Sequence, residues 1–237
     1  TGSFGKGEGS HGGVWECPDL IEMKIDDQKK SKWALIVSIG NGGPNGGSAT
    51  QYFVGDFNGE VFKSDNSKET IFWLDYGPDD YAGVTWSNTT NQQLFLGWMS
   101  NWNYAQLVPT KSWRSAMTIP RELFLKNTTN GYRIFSKPAN NINVLRQAQK
   151  TLSFDKTIKT NGRAELELSF DLSQSNEDDF GVSFSNSKNE ILKVGYSKQL
   201  NQFYIDRSNA GDNSFSTSFT GKSTAQRLLN SNTVKFH

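Results

Sequence analysis

A glutamate set between an indole and a Cys-Pro turn is the first group in this chain placed to do chemistry: Ser10 to Leu20 reads SHGGVWECPDL, with Glu16 at its centre. A carboxyl there is a candidate general acid. An apolar wall such as Trp15 disfavours the ionised form and raises the pKa, so that the group can carry a proton at neutral pH. The plain alternative is a solvated strand carboxylate beside a buried tryptophan. Other constellations fall away. Gly7, Gly9 and Gly12 match G-x-G-x-x-G, but a dinucleotide site needs a strand before the glycines and a helix after them, and here Pro18 follows in strand-like sequence. There is no G-x-S-x-G and only His11 and His237 are available, which argues against a Ser/His/Asp hydrolase. With a single cysteine, Cys17, there is no internal disulfide framework and no zinc cluster, and no metal or other cofactor is expected. The glycine-rich stretch from Gly40 to Gly47 reads as a flexible hairpin loop.

The elements that must position Glu16 are strands. Up to Pro138, strand-like runs alternate with turn signals and no segment holds a helical period. Trp33 to Ile39 and Gln51 to Asp56 flank the glycine-rich loop. Asn58-Gly59 reads as a two-residue hairpin turn, because a type I′ turn needs positive φ at both central positions, and Asn130-Gly131 repeats the signal. Val14 to Trp73 and Asp80 to Pro138 therefore read as two four-stranded units. All seven tryptophans lie between Trp15 and Trp113, so the chain divides near Pro138. A Pro/Asn-rich break follows, with a turn of helix expected over Val144 to Lys150. Beyond it the alternation is clean. Ala164, Leu166, Leu168, Phe170 and Leu172 share one strand face while Arg163, Glu165, Glu167, Ser169 and Asp171 share the other. Phe180, Val182 and Phe184 repeat the pattern, which makes a sandwich the economical architecture. The fold class is all-β, with residues 1–138 as one unit, 139–150 as linker and 151–237 as the second unit.

Further segments sharpen this reading: YFVGDFNG from Tyr52, DYGPDDYAGVTWSN from Asp75, LGWMSNWNYA from Leu96 and PTKSWRSAMTIPREL from Pro109. Together with WECPD they resemble, in order and spacing, the levanase, inulinase and invertase family of fructan hydrolases, glycoside hydrolase family 32, with bacterial levanases closest. FYIDRSNAGD from Phe203 resembles a sandwich segment of the same family. The resemblance implies a five-bladed β-propeller with a funnel-shaped active site, here the C-terminal part of it, followed by the N-terminal part of a β-sandwich. It implies retaining hydrolysis of β-fructofuranosides, with Glu16 as acid/base. The family's nucleophile lies in an Asn-Asp-Pro-Asn-Gly segment and its transition-state stabiliser in an Arg-Asp-Pro segment, and neither occurs in these residues. The expectation is an internal segment of a larger enzyme, inactive as this isolated chain. A non-catalytic fructan-binding or propeller interaction protein is the alternative.

A fructose ring needs an apolar platform and a fringe of donors and acceptors. Trp98 and Trp102 of GWMSNW are the platform candidates, with Trp15 as a further wall. Asn101 and Asn103 could bind hydroxyls or, so close to tryptophans, only satisfy backbone groups. Asp79 and Tyr81 could respectively receive hydrogen bonds and orient the catalytic carboxylates. Arg114 is expected to pair with a carboxylate under the funnel, and Asp19 and Asp56 are expected as turn or inter-blade partners, with Asp75 left unassigned. Twenty-five Lys plus Arg against 24 Asp plus Glu leave a net charge of +1, which gives no electrostatic footprint for nucleic acid. No apolar stretch is long enough for a membrane-spanning helix. The expected partner is a fructan or sucrose, and export to the cell surface, periplasm or medium follows from the resemblance. The oligomeric state is open.

Overall fold

A computed structural model describes residues 2–26, 28–229 and 231–237. The first sheet comprises β1 (Trp15–Lys24), β2 (Ser31–Ile39), β3 (Ala49–Phe57), β4 (Phe62–Ser64) and β5 (Phe72–Trp73); β1 to β4 run in sequence order and β5 pairs with β3. The second is a meander of β6 (Tyr81–Thr85), β7 (Gln93–Trp98), β8 (Arg121–Thr128) and β9 (Gly131–Pro138). These two blade-like sheets pack face to face. Met23, Ile25, Ala34, Ile36, Tyr52 and Val54 from the first meet Phe95, Leu123 and Leu125 from the second in one buried cluster. Burying such a face is the main force joining the sheets, at roughly 25 cal/mol per Å² of apolar surface. β3 is buried from Ala49 to Gly55, which is why its sequence does not alternate.

The first strand of each of these sheets carries a bulge. Between Glu16↔Ser38 and Asp19↔Ile36, three steps along β1 match two along β2, and Cys17 in the gap has φ 49°. Tyr81↔Trp98 and Val84↔Leu96 repeat the offset in β6, with Ala82 at φ 51°. A strand alternates faces at every residue, so groups three apart would otherwise point opposite ways. The bulge brings Glu16 and Asp19 to the same side, where β6 lies.

The second unit contains β10 (Leu168–Asp171), β11 (Asp179–Ser185), β12 (Ile191–Ser197), β13 (Gln202–Asn209), β14 (Lys222–Gln226) and β15 (Thr233–Phe236). β11 to β14 form a four-stranded meander and β10 pairs with β15. Phe180, Tyr196 and Val234, with Phe170, Leu172, Phe203 and Phe236 against them, fill the space between the two sheets. The expected long strand over residues 163–172 is only the four residues of β10, because its partner β15 pairs from Thr233 to Phe236 alone. Upstream of β10, Glu165 is instead held by Arg146 and His237.

The connections also differ from the sequence reading. The helical turn is a 3-10 helix at Asn140–Leu145, earlier than expected, closed by Ile142 N–H to the Ala139 carbonyl at 3.0 Å. Asn58-Gly59 belongs to a four-residue loop in which only Gly59 has positive φ, and the Asn58 side chain accepts from the Glu60 and Val61 amides. In the β8–β9 hairpin the loop residues are Thr129 and Asn130, and the positive φ falls on Gly131, the first residue of β9. The glycines at 7, 9 and 12 precede a strand, not a helix.

Candidate active site

Glu16 stands at the N-terminal end of β1 with its side chain open to solvent. Tyr81, 3% exposed at the start of β6, donates its hydroxyl to Glu16 Oε2. Burial raises the Tyr81 phenol well above its ordinary value, the hydrogen bond and charge of Glu16 raise it further, and the Trp102 side chain pulls it back. The phenol therefore keeps its proton and acts as a fixed donor. Glu16 Oε1 has no hydrogen-bond partner among the described residues. One step lower, Asp19 Oδ2 accepts from Thr85, from its amide at 2.6 Å and its hydroxyl at 2.7 Å, and ties the same two strands together. Asp19 is thus an inter-sheet partner, as expected, whereas Asp56 binds Lys32 within the first sheet at 2.8 Å.

The aromatic wall beside Glu16 is not Trp15. Adjacent strand residues point to opposite faces. Trp15 stacks on His11 with ring centroids 5.0 Å apart, approaches Phe53 at 5.5 Å and donates its indole N–H to the Ser10 carbonyl at 2.8 Å. That is the far side of the sheet from Tyr81. The rings on the Glu16 side are Trp98 and Trp102, whose centroids lie 6.2 and 6.3 Å from that of Tyr81 and 4.9 Å from each other. Trp102 leaves 48% of its surface exposed, which offers an apolar face next to the carboxyl.

Asn101 takes the second of its two expected roles, satisfying backbone groups. It is 1% exposed, and its amide group donates to the carbonyls of Gly46, Ser48 and Pro78 while its oxygen accepts from the amides of Ser48 and Asn103. All of its hydrogen-bonding capacity goes to backbone, so it pins three loops together instead of reaching a ligand. The glycine-rich loop is pinned by it. Gly47 has φ +69°, and a Cβ there would collide with Asn101 Oδ1. Asn103 is exposed and contributes its amide N–H to Asn101.

The loop before β6 concentrates charge. Arg121 of β8 donates to Asp75 Oδ2 at 2.8 Å and to Asp80 Oδ2 at 2.5 Å. Burial pushes the Asp80 carboxyl up to about 6 against the pull of Arg121, and Asp75 adds to the rise. Its Oδ1 finds no partner among the described residues, so nothing offsets desolvation there. Asp79 faces the other way. Tyr104 donates to its Oδ1, and Arg207 of β13 donates to its Oδ2 at 2.6 Å and to Tyr104 Oη at 2.9 Å. Arg114 is exposed and donates to the Gln106 carbonyl at 2.7 Å, so the carboxylate pairing expected of it belongs to Arg121. Arg121, Asp80, Tyr104 and Arg207 each lie within one of the motifs named above, yet none has a role expected from the sequence. The only signal was three acids in the six residues 75–80, which call for more than one cation.

Among the described residues, Glu165, Glu167 and His237 come close enough together to hold a metal ion. Arg146 occupies Glu165 with two hydrogen bonds of 2.5 Å, and together with His237 holds that carboxyl at about 2. No described helix is long and apolar enough to cross a membrane.

Two blade-like sheets followed by a sandwich define an all-β protein of the propeller-and-sandwich class. The chain belongs to glycosyl hydrolase family 32: residues 1–138 match the family's N-terminal domain and residues 131–237 its C-terminal domain. It is 43% identical over 236 residues to a levanase of Bacillus subtilis (strain 168), covering 94% of this chain and 35% of that one. Among solved structures, the exo-inulinase of Aspergillus awamori superposes with a TM-score of 0.80 at 28% identity, over 96% of this chain and 48% of that one. The β-fructofuranosidase of Schwanniomyces occidentalis, complexed with fructosyl-erythritol, gives 0.76 at 30% identity, over 96% and 49%. The chain therefore spans between about a third and a half of these relatives.

Proposed function

We propose that this chain supplies the acid/base half of the active site of a retaining β-fructofuranosidase that hydrolyses levan, inulin or sucrose outside the cell. Residues 1–138 are its portion of the catalytic domain, 139–150 the linker and 151–237 its portion of the sandwich. The observation that carries the reading is the Tyr81 hydroxyl on Glu16 Oε2, which leaves Oε1 without a partner among the described residues, with Trp102 packed against the same Tyr81. The names of the relatives, levanase and exo-inulinase, supply the substrate class.

In this mechanism Glu16 gives a proton to the departing glycosidic oxygen and later takes one from water. A carboxylate about 5 to 5.5 Å away attacks the anomeric carbon. The sequence contains no Asn-Asp-Pro-Asn-Gly segment, so that partner is assigned to chain outside these residues. Tyr81 holds Glu16 in one orientation, Trp98 and Trp102 receive the apolar face of the sugar, and Asp79 braces the loop that carries Tyr81. Proton transfer of this kind contributes roughly 10² to 10⁴ in rate.

The test is Glu16→Ala in the full-length protein. Levan hydrolysis should fall by about that factor. Fructosides whose leaving group needs no proton should still form the glycosyl-enzyme, and azide should speed its breakdown. The 237-residue chain alone should release no fructose. Undiminished hydrolysis by the Ala variant removes Glu16 from the mechanism. A full-length protein that binds fructan without cleaving it supports the binding-protein alternative.

A further inference from the structure

The geometry points to Arg207, on the sandwich, as a positioning residue for the candidate site, one that fixes the spacing between the phenol that holds Glu16 and the indole wall beside it. The inference rests on the reading of Glu16 as acid/base. Arg207, Asp79 and Tyr104 close a ring of three hydrogen bonds in which each member touches the other two. Asp79 lies two residues before Tyr81, and Tyr104 lies two residues after Trp102. The ring therefore clamps the bases of both arms of the site, the loop that delivers Tyr81 and the loop that leads away from Trp102.

Arg207 is itself held firmly. Its guanidinium lies 4.2 Å from the centroid of Phe219 and 5.3 Å from that of Tyr104, and its backbone N–H donates to the Gly221 carbonyl at 3.0 Å. Its side chain is 17% exposed and that of Asp79 22%, so the pair is screened from solvent more than a surface ion pair is. Burial, followed by the charge of Asp79 and its hydrogen bond, raises the Tyr104 phenol well above its ordinary value, so Tyr104 remains a donor to Asp79. A second link, through Asn45, joins the same two parts of the chain. Asn45 donates to the carbonyls of Tyr76 at 2.5 Å and Thr224 at 3.0 Å and accepts from the Thr224 amide at 3.0 Å. Without Arg207, Asp79 would keep one donor, and its charge would stand unopposed near Asp75 and Asp80.

The experiment compares Arg207→Met, Arg207→Lys, Tyr104→Phe and Val234→Ala in the full-length protein, measuring kcat, KM and Tm on levan, with Glu16→Ala run in parallel. Misplacing a catalytic group by about an ångström costs on the order of a hundredfold. Arg207→Met should lower kcat about ten- to a hundredfold while KM stays within about twofold. Arg207→Lys should recover part of the loss, since a lysine keeps the charge but not the two-pronged contact. Val234→Ala, in the sandwich core away from the ring, should lower Tm and leave kcat intact. If Arg207→Met fails to fold, Tyr104→Phe reads the same ring and should give the same kcat-selective loss. An unchanged kcat in folded Arg207→Met or Tyr104→Phe overturns the inference. So does a kcat loss that Val234→Ala matches at equal loss of Tm. If Glu16→Ala hydrolyses levan normally, the underlying reading fails first, and the result is distinguishable from a failure confined to Arg207.

Discussion

At the scale of the residue, Asp80 is the group whose titration the fold alters most usefully. Its carboxyl sits at about 6 in the folded protein against an ordinary value of 3.8. Between these values the folded state holds a proton that the unfolded chain has released. The stability that Asp80 contributes is therefore complete below pH 3.8 and lost as pH rises through 6, on the order of 3 kcal/mol in all. Replacing it by Asn should remove this dependence. Melting curves between pH 4 and 7 should show the wild type losing stability relative to Asp80→Asn, and parallel curves would contradict the assignment. The sequence had marked Glu16 and Tyr81, and the structure joins them directly. It had given the carboxylate pairing to Arg114 where the structure gives it to Arg121, because that choice depends on the register of β8 against β7 and not on the local motif. Arg207, 128 positions from Asp79, had no local signal at all.

At the scale of the element, the bulges decide where the chemistry points. Cys17 holds a left-handed backbone at φ 49°, a conformation that glycine adopts freely and β-branched residues resist. Cys17→Gly should preserve the bulge. Cys17→Val should lose about 1 to 3 kcal/mol in urea unfolding, and equal stability of the two variants would show that the bulge is not under this constraint. Strands were legible wherever one face was buried against a partner, as in β11 and β12. The run from Arg163 to Glu167 alternates just as cleanly but pairs with no strand among the described residues. The hairpins were legible as turns but not as turn types, since the Asn58 side chain closes a wider loop than a type I′ turn would.

At the scale of the whole molecule, the stretch after Trp102 carries several exposed large apolar groups. Leu107, Trp113, Met117 and Ile119 are each between 54% and 67% exposed. Exposed apolar surface of this kind favours association. The purified chain should show an apparent mass in light scattering that rises with concentration, and a constant monomer mass would argue that these groups are tolerated singly. Tryptophan usage suggested a division near Pro138, but nothing in the sequence suggested the bonds that link the two sides of it, because they run through Asn45, Asp79 and Arg207, which ordinary sequence patterns treat as loop and surface residues. That attachment bears on how freely such proteins can exchange parts. A chimaera that joins these blades to a foreign sandwich would cut the seam where Arg207 meets Asp79 and Thr224 meets Asn45. The graft would have to bring a matching cation and a matching strand edge, so the sandwich here is not an interchangeable module but part of the frame on which the carboxyl is aimed.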